Sequence, residues 1–147
     1  KYAASQEFHD IMAQVIVNAK CLAEELQKYG FRIVSGGTDN HLLVVDLRSK
    51  GLTGKTMQNA LDAVGITVNK NMIPFDPEKT GVTSGIRIGL TAVSQRGLKE
   101  PEIREIAAII NQVAEAPEDE ANLKACKAKA EALIAKFPLY PAGSFDD

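Results

Sequence analysis

The stretch "FRIVSGGTDNHLLVVDL", residues 31–47, decides the fold class. Two runs rich in β-branched and large apolar residues, 31–35 and 41–47, flank a segment of glycine, threonine, aspartate and asparagine. That arrangement predicts two antiparallel strands joined by a hairpin loop. The loop has neither the GxGxxG nor the P-loop spacing, so its glycines indicate a turn rather than a phosphate cradle.

Helical patterns surround this hairpin. Four segments carry apolar residues at the three-and-four spacing of an amphipathic helix, and they begin at Phe8, at Leu52, near Pro101 and after Pro117. The first two end at glycines, a residue that accepts the positive φ found at many helix ends. The last is ended by Pro138, and the tail 138–147 is expected to be frayed.

Two more short β runs, Ile66–Asn69 and Ile86–Leu90, lie on either side of a long loop, Asn71–Gly85. Loops of that length in a compact domain are usually functional. Because the strands do not alternate regularly with helices, the predicted fold class is α+β, a small, mostly antiparallel sheet covered by helices.

Composition predicts one soluble globular domain. The chain has 147 residues, of which 45% are hydrophobic and 24% charged, and no apolar stretch reaches the roughly 20 residues needed to cross a bilayer. Its net charge of -2 provides no general basic field for a phosphate backbone. We therefore expect neither a membrane nor a nucleic-acid partner.

The cysteine and histidine spacing predicts no metal site. Cys21 and Cys126 fall in helical patterns without a CxxC pair, and neither His9 nor His41 has a second ligand at metal spacing. We expect reduced, structural thiols and a cytoplasmic protein, since no secretion signal is evident. The helical pattern around Lys1 suggests a piece of a longer chain. No pattern typical of a catalytic nucleophile, base or carboxylate pair is present, so no catalytic residue is assigned.

Arg87 alternates with Ile86 and Ile88, so it should lie on the face opposite theirs. Spacing alone favours a solvated arginine, or one paired with a protein acid, over the alternative of a guanidinium that binds a ligand carboxylate. Asn69 and Asn71 leave a similar choice. They are typical of turn chemistry, and they could instead read the edge of a heterocycle.

Four segments then carry a family resemblance: SGGTDNHLLVVDLR at 35–48, LTGK at 52–55, GITVNKN with IPFDP at 65–77, and TSGIRIG at 83–89 followed by Arg-Gly at 96–97. Together they closely resemble the C-terminal domain of serine hydroxymethyltransferase, a pyridoxal-phosphate enzyme of the aspartate-aminotransferase fold type. The resemblance runs along nearly the whole chain. It implies that residues 1–147 are the single C-terminal small domain of a longer enzyme.

The same resemblance implies a function and two site residues. The family interconverts serine and glycine and passes the one-carbon unit to or from tetrahydrofolate, with the pyridoxal phosphate doing the carbanion chemistry. By matching position, Arg87 resembles the arginine that binds the α-carboxylate of the amino acid, and Asn71 resembles an asparagine that contacts the pterin of the folate. The family's homodimer, or tetramer in some members, is the implied assembly of the full-length enzyme.

Two departures from the family pattern limit these expectations. Leu90 and Thr91 stand where the family usually has Thr-Pro, and the cofactor-binding lysine, found in a T-H-K-T-L type of segment, does not occur in these residues. The chain alone is therefore expected to be inactive. A free-standing, non-catalytic module that binds folate or a partner is the alternative, and a domain of another pyridoxal-phosphate enzyme is a third possibility.

Overall fold

The computed structural model describes residues 5–34 and 41–138. The elements in chain order are α1 Gln6–Lys28, β1 Arg32–Ile33, β2 Leu42–Asp46, a 3-10 turn Arg48–Lys50, α2 Gly54–Val64, β3 Asn69–Asn71, β4 Gly85–Gly89, α3 Thr91–Gln95, α4 Glu100–Glu115 and α5 Glu120–Ala135. The predicted hairpin loop at 36–40 and nearly all of the predicted frayed tail lie outside the described residues.

The strands form one four-stranded sheet in the order β1-β2-β4-β3, and every neighbouring pair is antiparallel. Arg32 lies opposite Asp46, which confirms the predicted pairing of the first two strands. With helices packed on this small sheet, the predicted α+β class is also confirmed.

The helices cover one face of the sheet. Leu43, Val45, Ile86 and Ile88 point to that side and are buried, while α1 and α2 contact the strands and α4 and α5 complete the layer. Residues that alternate with these four point the other way. We call that side the open face, and its residues are Arg32, Leu42, Val44, Asp46, Asn69, Asn71, Gly85, Arg87 and Gly89.

Side-chain caps and glycines explain the helix boundaries. The Ser5 hydroxyl accepts the N–H of Phe8 at the start of α1, at 3.1 Å. The Thr53 hydroxyl accepts the N–H of Thr56 in α2, at 3.3 Å. At its other end α2 stops at Gly65, whose φ of 91° is left-handed. The predicted stop at this glycine is confirmed.

Two local predictions differ from the structure. The third strand was predicted at Ile66–Asn69 and is found at Asn69–Asn71, because Val68 is buried in the core before ladder pairing begins opposite Arg87. The short helix α3 was not predicted, since five residues are too few to show a helical period.

Cys21 and Cys126 are free and buried, and burial raises the pKa of both thiols. Both therefore behave as packing residues. Across the described part of the chain, no helix combines the length and apolar character required to span a bilayer.

Candidate functional site

Arg87 lies at the centre of β4, between Val44 on β2 and Asn69 on β3. Its chain neighbours Ile86 and Ile88 are buried, whereas Arg87 itself is exposed. The alternation read from the sequence therefore describes its orientation correctly. The guanidinium belongs to the open face.

Strand pairing places Asp46 on the open face, opposite Gly85 of β4. Its carboxylate already pairs with two arginines, Arg32 and Arg48. Arg48 donates to its carboxylate from Nε at 3.1 Å, from Nη2 at 2.8 Å and from the backbone N–H at 3.0 Å, while Arg32 Nη1 donates at 2.5 Å. Within residues 5–34 and 41–138, Arg87 makes no side-chain hydrogen bond or ion pair. Among these residues, Arg87 is therefore not paired with a protein acid.

The ion pairs of Asp46 give a testable pH dependence. Hydrogen bonds from Arg48 lower the pKa of Asp46 from 3.8 to about 2, so its contribution to stability is complete above about pH 4 and is lost as the pH falls toward 2. We expect Asp46→Asn to reduce the free energy of unfolding by about 1–3 kcal/mol at pH 7. Urea unfolding of both proteins at pH 7, 4 and 3 should show this difference shrinking with acidity. A difference that stays constant over that range would contradict it.

Asp76 closes the loop between β3 and β4. Its Oδ2 accepts the N–H groups of Ile73 at 3.2 Å and Ser84 at 2.8 Å. Its Oδ1 accepts the N–H of Glu78 at 2.9 Å and the Ser84 hydroxyl at 2.7 Å. Desolvation acts to raise the pKa of Asp76, but these hydrogen bonds outweigh it and hold the pKa at about 2. The Asp76 carboxylate thus connects the start of the loop, at Ile73, to its end, at Ser84.

The segment before Arg87 is also fixed to the start of α2. Thr83 is buried at a φ of 61°, an unusual value for a β-branched residue, and its hydroxyl donates to the carbonyl of Gly85 at 2.9 Å. The Gly54 N–H donates to the Thr83 carbonyl at 3.0 Å, and the Lys55 N–H donates to the Val82 carbonyl at 2.9 Å. Helix α2 therefore uses its first N–H groups to hold the turn that leads into β4.

Two glycines allow this close approach. A Cβ on Gly54 would lie 2.0 Å from Oγ1 of Thr83 and 2.3 Å from the carbonyl oxygen of Gly85. A Cβ on Gly85 would lie 2.8 Å from Cγ2 of Ile73 and 2.9 Å from the carbonyl oxygen of Asn71. The LTGK and TSGIR segments therefore need glycine for space, because the backbones touch where a side chain would begin.

Asn71 shares the open face with Arg87. It lies opposite Gly85, so it is the diagonal neighbour of Arg87 on the adjacent strand, a separation of roughly 7–8 Å in antiparallel sheets. Its Nδ2 donates to the Met72 carbonyl at 2.8 Å, which orients the amide. Strand β3 is itself held by Gln58 of α2, whose Oε1 accepts the Lys70 N–H at 2.6 Å. The structure thus places the two predicted site residues on neighbouring strands of one face.

The strands that flank Arg87 place no lysine on the open face, where a pyridoxal-phosphate cofactor would need one. Lys70 is the lysine of the strands that flank Arg87, but it lies opposite Ile86, and its Cβ packs toward Gly54 on the helix-covered side. It cannot serve the open face. In the described ranges, no group of three or more His, Cys, Asp and Glu residues could hold a metal ion.

The departure at Leu90 and Thr91 is accommodated by α3. Thr91 is the first residue of that helix, a position that also favours proline, and the Leu90 N–H donates to the carbonyl of His41 at 2.9 Å. Leu90 is buried. The helix therefore forms here without a proline at its first residue.

Sequence spacing missed the residues that build the scaffold around Arg87. Asp76 sits between Pro74 and Pro77, and an aspartate in such a setting is a signal for side-chain bonds to a turn backbone. Gly54 gave no such signal, because its need for space comes from residues about thirty positions away.

Comparison with known proteins identifies the family. A family model described as serine hydroxymethyltransferase matches residues 1–110. Over 140 residues the chain is 51% identical to a serine hydroxymethyltransferase of Myxococcus xanthus (strain DK1622) and 54% identical to one of Nitrosomonas europaea. Each alignment covers 95% of this chain and 34% of the relative, so the chain spans about a third of the length of these curated relatives. The chain belongs to the serine hydroxymethyltransferase family.

Proposed function

We propose that residues 1–147 form the small C-terminal domain of a serine hydroxymethyltransferase, and that the open face borders the active site of the longer enzyme. The observation that carries this proposal is the exposed Arg87, which lacks a protein acid within the described residues while Asp46 beside it is held by two other arginines. The similarity to the relatives along almost the whole chain supports the family role of this arginine.

Arg87 is proposed to bind the α-carboxylate of serine or glycine. A guanidinium can donate two parallel N–H groups to a carboxylate, which fixes the orientation of the amino acid as well as its position. Its strand is central in the sheet, and the turn before it is fixed by Asp76 and by the start of α2. The cation is therefore held on a rigid element rather than on a loop, which suits a residue that orients substrate.

Asn71 is proposed to contact the pterin ring of tetrahydrofolate, the cosubstrate that takes up or supplies the one-carbon unit. An amide offers two donor hydrogens and an acceptor oxygen to the edge of a heterocycle. In the described residues one of those hydrogens is directed at the Met72 carbonyl. This fixes the amide plane and leaves the oxygen for the ring.

Pyridoxal phosphate supplies the carbanion stabilisation of this chemistry when bound. We propose that the part of the enzyme outside this chain holds most of it, since the open face offers no lysine on the strands beside Arg87. The longer enzyme is proposed to be a homodimer or tetramer in the cytoplasm. Cys21 and Cys126 are free and buried, as cysteines commonly are in proteins of a reducing compartment.

A direct experiment tests the division of roles between this chain and the rest of the enzyme. We expect the isolated chain, mixed with pyridoxal phosphate, to show no visible-region absorbance band of bound cofactor and no conversion of serine to glycine. The full-length enzyme under the same conditions is the positive control. Turnover by the isolated chain above the rate of free cofactor would show that these residues carry the chemistry themselves.

A further inference from the structure

Asp76 accepts four hydrogen bonds. Among the described residues, no basic side chain lies within salt-bridge distance of its carboxylate. Its oxygens accept from three backbone N–H groups and one hydroxyl, all within the loop that links β3 to β4. A carboxylate bonded in this way organises backbone, and the bonds are of the stronger, charge-assisted kind. The neighbouring Phe75 is fully exposed, so its side chain does not anchor this part of the loop.

The bonds of Asp76 lie directly beside the paired residues of the site. Ile73 is two residues after Asn71, and Ser84 is one residue before Gly85, the ladder partner of Asn71. The Ser84 carbonyl also accepts the N–H of Leu47 at 2.8 Å, which joins the same point to the end of β2. Asp76 thus fastens both strands at the place where their pairing begins.

The register held in this way decides which side chains reach the open face. Successive residues of a strand point to opposite sides, so a slip of one residue in β4 would turn Arg87 toward the core and Ile86 outward. The backbone beside Asp76 needs such support. Phe75 has a φ of 56° and Thr83 a φ of 61°, and such strained residues persist only where surrounding contacts over-determine them.

We propose that Asp76 is a positioning residue for substrate binding, which holds the β3–β4 register so that Arg87 and Asn71 face the amino acid and the folate. This inference rests on the proposed function. Asp76 itself touches neither substrate. It acts through the backbone at Ile73 and Ser84.

The test uses the full-length enzyme with Asp76→Asn. The amide keeps the shape of the carboxylate but replaces one acceptor oxygen with an NH2 group that faces backbone N–H donors. We expect the KM for serine to rise about tenfold with a smaller change in kcat, because the binding groups are misplaced while the chemical groups lie elsewhere. Faster hydrogen exchange at the Ser84 amide should accompany the change.

Asp119→Ala is the control for a loss of stability at another aspartate. Asp119 also accepts a backbone N–H, from Ala121 at 3.1 Å, but it caps α5 on the helix-covered side of the sheet. Its loss should lower the melting temperature without altering the KM for serine. If Asp76→Asn behaves in the same way, or changes nothing, the positioning role is overturned.

Two further variants keep the test decisive. Should Asp76→Asn fail to fold, Ser84→Ala removes only the hydroxyl bond to Asp76 and is expected to raise the KM for serine about two- to fivefold. An unchanged KM in that variant overturns the inference. Arg87→Lys distinguishes failure of the proposed function from failure of this inference. If it raises the KM for serine and the Asp76 and Ser84 variants do not, the proposed function stands and the positioning role of Asp76 fails.

Discussion

Arg87→Lys in the full-length enzyme should raise the KM for serine by roughly 10- to 100-fold, since a charge-assisted hydrogen bond contributes about 1.5–3 kcal/mol. Lysine keeps the charge but presents a single ammonium, so it cannot make the two parallel contacts that fix a carboxylate. The loss should appear in substrate binding. Steady-state kinetics with serine, and equilibrium binding of glycine, measure it directly.

The control for Arg87→Lys is the same exchange at Arg104. Its side chain is half exposed on α4, on the helical side of the sheet, and its contact with Glu25 is a weak one at 3.8 Å. Arg104→Lys should leave the KM for serine unchanged. An amine that lacks the carboxylate, such as ethanolamine, should bind the Arg87 variant and the parent enzyme about equally. Unaltered serine kinetics in Arg87→Lys would remove Arg87 from the site.

The orientation of Arg87 could be predicted from the sequence because strand residues alternate, and the alternation with Ile86 and Ile88 is local. The lack of an acidic partner for Arg87 among the described residues could not be predicted. That property depends on the strand order, which brings Arg32 of the edge strand to Asp46 and so uses up the acid beside β4. Strand order is set by contacts between distant segments, and no spacing within one segment reports it.

The same limit explains the scaffold residues. Helices α1, α2, α4 and α5 were predictable because each carries apolar residues at three-and-four spacing, and the antiparallel sheet followed from short β runs between turn residues. The contacts of Asp76 and the approach of Gly54 to Thr83 have no period along the chain. The family resemblance identified these segments only as sequence motifs. The structure shows the contacts that their residues make.

The largest expected loss of stability is that of Gly54→Ala. Gly54 is the first residue of α2, where alanine would ordinarily be better than glycine by up to about 1 kcal/mol. Its backbone has no left-handed φ that would require glycine, so space alone decides the sign. The added Cβ would lie 2.0 Å from Oγ1 of Thr83 and 2.3 Å from the carbonyl of Gly85, and the second of these atoms belongs to backbone that cannot rotate away.

We expect Gly54→Ala to reduce the free energy of unfolding by about 3–4 kcal/mol, near the upper end of what overpacking costs. Urea denaturation, read as a shift of the midpoint, measures the loss, and Gly89→Ala is the control. Gly89 lies in β4, but a Cβ there would meet nothing within 4 Å, so that variant should unfold close to the parent midpoint. A Gly54 variant as stable as the parent would mean that α2 does not approach the turn before Arg87 so closely, and the basis for the rigid placement of Arg87 would be lost.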